Sequence, residues 1–140
     1  MDFNMAGPGI VLGLGCLGSS IGCGIAGMAS HGVMTHTDEG HGKYIGLSAA
    51  PASQSIYGLV LMIFMQKAII AGTVSALSAI VIAFFAGLAL MFSSIYQGKA
   101  AATAIQASAK QPAIFGKCFA IVGIIETFSL FAFAFAIQLL

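Results

Sequence analysis

Residues Lys117 to Leu140 read KCFAIVGIIETFSLFAFAFAIQLL, a run with one charged side chain after its opening lysine, Glu126. Roughly 20 apolar residues at ~1.5 Å each match a ~30 Å hydrocarbon core, so this run is long enough to cross a bilayer as a helix. Glu126 lies near its middle. An ionisable group at that depth costs on the order of 3 kcal/mol on insertion scales and marks a functional site by default. The competing readings are a carboxylate displaced towards an interface or one paired structurally with a lysine.

Composition extends the membrane reading to the whole chain. Of 140 residues 59% are hydrophobic and only 6% charged, where soluble domains carry about 25% charge. Mean hydropathy is +1.04. Such a chain cannot clothe a water-facing surface, and its length accommodates about four spans with little outside them. A net charge of +1, without arginine, excludes nucleic acid as a partner. Cys16, Cys23 and Cys118 follow no metal or redox spacing and sit in apolar runs, where cysteine behaves as a small hydrophobe. His31, His36 and His41 cluster about one polar loop without a metal-ligand pattern. The start, MDFNMAGPG, lacks the positive region of a cleaved leader, so none is expected.

Outward from Glu126, the loop Lys110 to Lys117 joins its span to a third one, Thr73 to Tyr96, expected to continue as helix to about Ala109. A turn near Gln66 to Gly72 precedes it. The second span runs from about Lys43 to Met65 and contains Pro51, which removes a backbone donor and loosens the helix. Ser53, Gln54 and Tyr57 follow at once, and Gln54 and Tyr57, three apart, share a face. A polar helix break at membrane depth is tolerated only where it lines protein or an ion path. Before it come a polar loop, Gly32 to Gly42, and a first span, Gly7 to His31. There Gly18, Gly22, Ala26 and Ser30 recur every four residues, a face for close backbone packing and, with so many small residues, for a crowded ring interior.

An internal repeat organises these spans. A shift of 74 superposes Gly13-Leu14 on Gly87-Leu88, Ser19-Ser20-Ile21 on Ser93-Ser94-Ile95, Gly42-Lys43 on Gly116-Lys117, and Ser55 on Ser129. The expected fold is an all-α membrane protein of four transmembrane helices in two tandem hairpins, residues 1–72 and 73–140. Glu126 aligns with Ala52 and Gln97 with Cys23, so only the second hairpin carries the carboxylate. Lys43, Lys99, Lys110 and Lys117 flank the first and third connections, while the second has Lys67 alone. The longer loops are therefore expected in the cytoplasm and both termini on the other side. Lys99 is read as snorkelling to the interface rather than as a site residue.

Ser53, Gln54, Tyr57, Gln97, Glu126 and Thr127 are the polar side chains at depth, and they meet if the second, third and fourth spans pack together. Two glutamine carbonyls, a hydroxyl and a carboxylate suit a hard monovalent cation, by extension from the oxygen ligation of calcium and magnesium. A proton would need only the carboxylate and one partner. The glutamines and serine also serve, in a plainer reading, as hydrogen bonds between helices.

With PASQSIYG (Pro51 to Gly58), YQGKAAATAIQASAKQP (Tyr96 to Pro112) and IIETF (Ile124 to Phe128), the chain resembles the proteolipid subunit of the rotor ring in V-type and related archaeal-type rotary ATPases, most closely the bacterial sodium-transporting branch. The resemblance spans essentially the whole chain. It implies Glu126 as the ion carboxylate and Gln54, Gln97 and Ser53 as side-chain sodium ligands. It also implies the Ala50 backbone carbonyl as a ligand, Tyr57 as a hydrogen-bond donor that locks Glu126, and Thr127 behind them. Ser53 stands where that branch has Thr, Ala52 where it has Gly and Ala50 where it has Leu, and none of these removes a ligand type. The implied setting is a homo-oligomeric ring in a bacterial plasma membrane, bathed by lipid. Its partners would be a stator subunit supplying an Arg and a central stalk docked on loops 32–42 and 109–116. The subunit would carry sodium, or alternatively a proton, need no cofactor and perform no ATP chemistry, since it lacks a GxxxxGK[ST] loop. Small multidrug exporters also depend on one membrane glutamate, but place it in the first helix and lack a half-to-half repeat. A purely structural packing protein would not need Glu126.

Overall fold

A computed structural model describes residues 3–140. The first two residues, where the leader reading and the first half begin, lie outside the described residues. Helix α1 spans Ala6–Met34; α2, His41–Ala49, passes through a 3-10 turn at Ala50–Ala52 into α3, Ser53–Ala71. Helix α4 spans Ala76–Lys110, and α5, Phe115–Gln138, follows a second 3-10 turn at Pro112–Ile114. Four helical stretches are long and apolar enough to cross a membrane: 6–34, 41–71, 76–110 and 112–138. The chain is a multi-pass membrane protein.

The glycine-rich α1 is helical because, in hydrocarbon, backbone groups have no other partners. The second connection is shorter than expected: Gln66 to Ala71 remain in α3, because nothing breaks the helix before Gly72. Gly72 takes φ +74°, its N–H donating to Ile69 and that of Thr73 to Ala68, a Schellman closure that needs glycine at the left-handed position. Helix α4 then starts at Ala76 rather than Thr73, capped by Ser75, whose Oγ accepts from the Ser78 N–H at 3.1 Å.

The two hairpins share one packed unit. The broadest contact runs between α1 and α4, the first helices of the two halves. Small residues let the backbones meet: a Cβ at Gly18 would strike the Met91 backbone, one at Gly22 the Ser94 carbonyl, and one at Gly98 the Gly22 backbone. The four-residue stripe is thus covered within the chain, and Ser30 at its end donates to the Tyr44 carbonyl at 2.9 Å. Gly9, Gly13, Gly24 and Gly27 have open space beside them.

Apolar packing occurs at two levels. One cluster holds Val11, Leu61, Met65, Ala83, Leu90 and Ala136. The other, towards the 35–40 loop, holds Ala26, Leu47, Ala101, Ile105 and Val122. Each draws on both halves. Between the two lies a layer of buried polar side chains: Ser19, Gln54, Ser93, Ser94, Gln97 and Ser129.

Candidate functional site

Pro51 builds the first part of the site. It has no N–H for the Leu47 carbonyl, which is met instead by Ala50 in the tighter 3-10 pattern. Pro51 packs into the room left by Gly22, where a Cβ would come within 2.8 Å of its own. Its carbonyl accepts from Ser94 Oγ at 2.7 Å. The break sets Ser53 and Gln54 on the first turn of α3, with Gln54 facing α4 and α5.

Polar side chains from three helices then converge. Tyr57 on α3 donates its hydroxyl to Glu126 Oε1 at 2.6 Å. Gln97 on α4 donates through Nε2 to Glu126 Oε2 at 3.4 Å and to the Val122 carbonyl at 3.2 Å. Gln54 Nε2 donates to Gln97 Oε1 at 3.0 Å. Ser53 Oγ lies 3.2 Å from Gln54 Oε1 and 3.2 Å from the Ala50 carbonyl. Gln54 and Gln97 are completely buried, so their four amide hydrogens and two oxygens depend on this network. Glu126 is half-buried, at the edge of the layer, and the Tyr57 ring beside it packs on Phe133 at 5.6 Å between centroids.

The polarity of the relay follows from its ends. The Val122 carbonyl only accepts, so the Gln97 amino group faces it and the Gln97 oxygen faces Gln54. Gln54 must present its amino group in return, which turns its own oxygen to Ser53. Three oxygens then gather beside the Pro51 break: the Ala50 carbonyl, Ser53 Oγ and Gln54 Oε1. The Ser53 hydrogen is the only side-chain donor among them and cannot satisfy both acceptors at once.

Of the residues singled out from sequence, Glu126, Tyr57, Gln97, Gln54, Ser53 and Ala50 are brought together. Thr127 is not: it is exposed, and its hydroxyl donates to the Ile124 carbonyl at 2.7 Å. Lys99 also lies outside, its ammonium 4.8 Å from the Tyr96 ring centroid. Three serines were missed. Ser94 holds the Pro51 carbonyl, Ser93 donates to the Ile125 carbonyl at 3.0 Å, and Ser129 lies under Gln54. Their signals were present: Ser129 is three residues beyond Glu126, hence on its face, and the Ser93-Ser94 pair lies one turn before Gln97.

The network draws on both halves of one chain, with α3 of the first half supplying the Tyr57 hydroxyl to the carboxylate of the second. Against known proteins, a family model for the C subunit of ATP synthase matches twice, over residues 6–65 and 68–139. The A-type ATP synthase subunit K of Methanocaldococcus jannaschii is 37% identical over 137 residues, 96% of this chain and 60% of its own length. The V-type sodium ATPase subunit K of Enterococcus hirae is 30% identical over 125 residues, 88% of this chain and 80% of its own. The chain thus spans three-fifths of the length of the archaeal relative.

Proposed function

The chain belongs to the family of the ATP synthase C subunit, the membrane proteolipids of rotary ATPases, and from that membership we propose that it is a rotor-ring subunit carrying sodium on Glu126. In this reading its halves, residues 1–72 and 73–140, are duplicated hairpins with one ion site between them. Many copies close into a ring. Rotation past a stator couples ion movement to ATP hydrolysis or synthesis on other subunits, and this subunit performs no ATP chemistry. Loops 32–42 and 109–116 meet a central stalk on the cytoplasmic side, and the termini lie opposite.

The observation that carries sodium is the oxygen excess beside the Pro51 break, in the polar layer that also holds Glu126. The Ala50 carbonyl, which also accepts from the Ser53 N–H, shares one side-chain hydrogen with Ser53 Oγ and Gln54 Oε1, and Gln97 links this group to the Glu126 carboxylate. A hard cation satisfies such a set, whereas a proton needs only the carboxylate. The sodium ATPase relative supports the same choice. A bound monovalent cation also neutralises the carboxylate, letting the site travel through hydrocarbon that would strongly disfavour a bare charge. At the stator an arginine of the partner would compete for Glu126 and release the ion.

A carbodiimide that attacks protonated carboxyls tests this on the purified ring. Sodium, titrated at fixed pH, should slow labelling of Glu126, with more sodium required as pH falls because proton and ion compete. Labelling of Glu126 indifferent to sodium would make the ring a proton carrier and leave Gln54 and Gln97 as structural bonds.

A further inference from the structure

Resting on the cation reading, we propose that Ser129 is a positioning residue that reinforces the orientation of the Gln54 amide set by Gln97 and thereby tunes affinity for the ion. Ser129 is completely buried on α5, one turn beyond Glu126. Its hydroxyl donates to the Glu126 backbone carbonyl at 2.7 Å, the usual back-bond of a serine inside a helix. That bond consumes its single hydrogen, so towards Gln54 it can only accept. Gln54 Nε2 lies 3.4 Å from Ser129 Oγ.

The Gln54 amino group has two hydrogens in a site without water access. Gln97 Oε1 takes one at 3.0 Å and Ser129 is the acceptor for the other. With both engaged, the amide oxygen is turned to Ser53 and the Ala50 carbonyl, where an ion would meet it. Without Ser129 the second N–H is buried and unmatched. The orientation that presents oxygen to the ion, still favoured by Gln97, loses part of its advantage over rotated ones, and part of the binding free energy goes into restoring it. Ser129 reaches the ion through Gln54 and does not itself face it. The repeat makes this role particular to the second half: Ser55, its counterpart, donates to the Ala52 carbonyl at 2.7 Å, and Ala52 stands where the second half has Glu126.

The test is sodium protection of Glu126 from carbodiimide in intact rings of wild type, Ser129→Ala and Ser129→Thr. Alanine removes the acceptor, and the sodium concentration for half-protection should rise about fivefold, the ratio carried by one ordinary hydrogen bond. Threonine keeps the hydroxyl and should remain within about twofold of wild type, a rescue that a packing role would not produce. An alanine ring within about twofold of wild type overturns the proposal, as does equal weakening by alanine and threonine. If wild type itself is not protected by sodium, the cation reading has failed and this inference with it. If wild type is protected and alanine matches it, only the role of Ser129 is lost. Should the alanine ring not assemble, Ser129→Cys, close in volume but a weak acceptor, is read by the same criteria.

Discussion

Tyr57 and Glu126 are 69 positions apart, in opposite halves of the chain, and joined by a 2.6 Å hydrogen bond from phenol to carboxylate. In the proposed sodium-loaded site the acceptor is a carboxylate, a bond to such a group is among the stronger side-chain hydrogen bonds, and this one acts across the seam between α3 and α5. It holds the carboxylate against the polar layer rather than extended into lipid. The ring that carries it is itself held by Phe133.

Tyr57→Phe should therefore loosen the carboxylate while keeping the aromatic packing. A charge-assisted bond contributes about 1.5–3 kcal/mol, so half-protection of Glu126 by sodium should require roughly ten to a hundred times more of the ion. Rings of this variant are expected to assemble with wild-type yield, since the contact with Phe133 is retained. Unchanged sodium protection would mean that Tyr57 packs beside the site without locking it.

Gln54→Leu separates ion binding from the carboxylate's own reactivity. Leucine fills a similar volume but removes the oxygen facing Ser53 and both hydrogens given to α4 and α5. Sodium protection should be lost, while Glu126 still reacts with carbodiimide at low pH. Glu126→Gln should abolish labelling at this position and sodium transport alike. Sodium-driven rotation that survives Glu126→Gln would place the ion elsewhere in the chain.

The α1–α4 contact makes a prediction independent of ion binding. At Gly22 and Gly98 an added Cβ meets backbone, which cannot rotate away. Overpacking a tight interior costs about 1–3 kcal/mol, and both Gly22→Val and Gly98→Val should lower the temperature at which purified rings dissociate. Gly116→Ala, at a position with open space around it, should leave that temperature within experimental scatter. Equal effects at all three would remove close backbone approach as the cause.

The spans, the hairpin duplication and the meeting of Glu126 with Gln54, Gln97 and Tyr57 were legible because hydropathy, repeat register and depth of polar residues are properties of sequence. What was not legible is which way each face turns. Thr127 follows Glu126 directly, and one step of about 100° along the helix takes it to the exposed side, whereas Ser129, three steps on, returns to the site. Gly18 and Gly22 read as a close-packing stripe, but their partner, the α4 backbone, depended on how the two halves dock. The amide orientations of Gln54 and Gln97 were likewise hidden, since they follow from the Val122 carbonyl, a backbone group that any residue type would supply.

Pro51 provides the sharpest test of the helix break. Pro51→Ala restores a backbone N–H opposite the Leu47 carbonyl and lets 41–71 continue as one α-helix. The 3-10 turn at 50–52 would relax, rotating Ser53 and Gln54 relative to α4 and drawing the Ala50 carbonyl into a regular helical bond. Helix propensity favours alanine strongly, so the variant should fold and assemble. Its sodium protection should nevertheless weaken at least tenfold, because the oxygens of Ala50, Ser53 and Gln54 no longer converge. Ser94→Ala should give a smaller loss in the same direction, since it frees the Pro51 carbonyl but leaves the turn in place. If Pro51→Ala binds sodium as tightly as wild type, the break serves packing against Gly22 alone, and the oxygen cluster owes its geometry to α4 and α5.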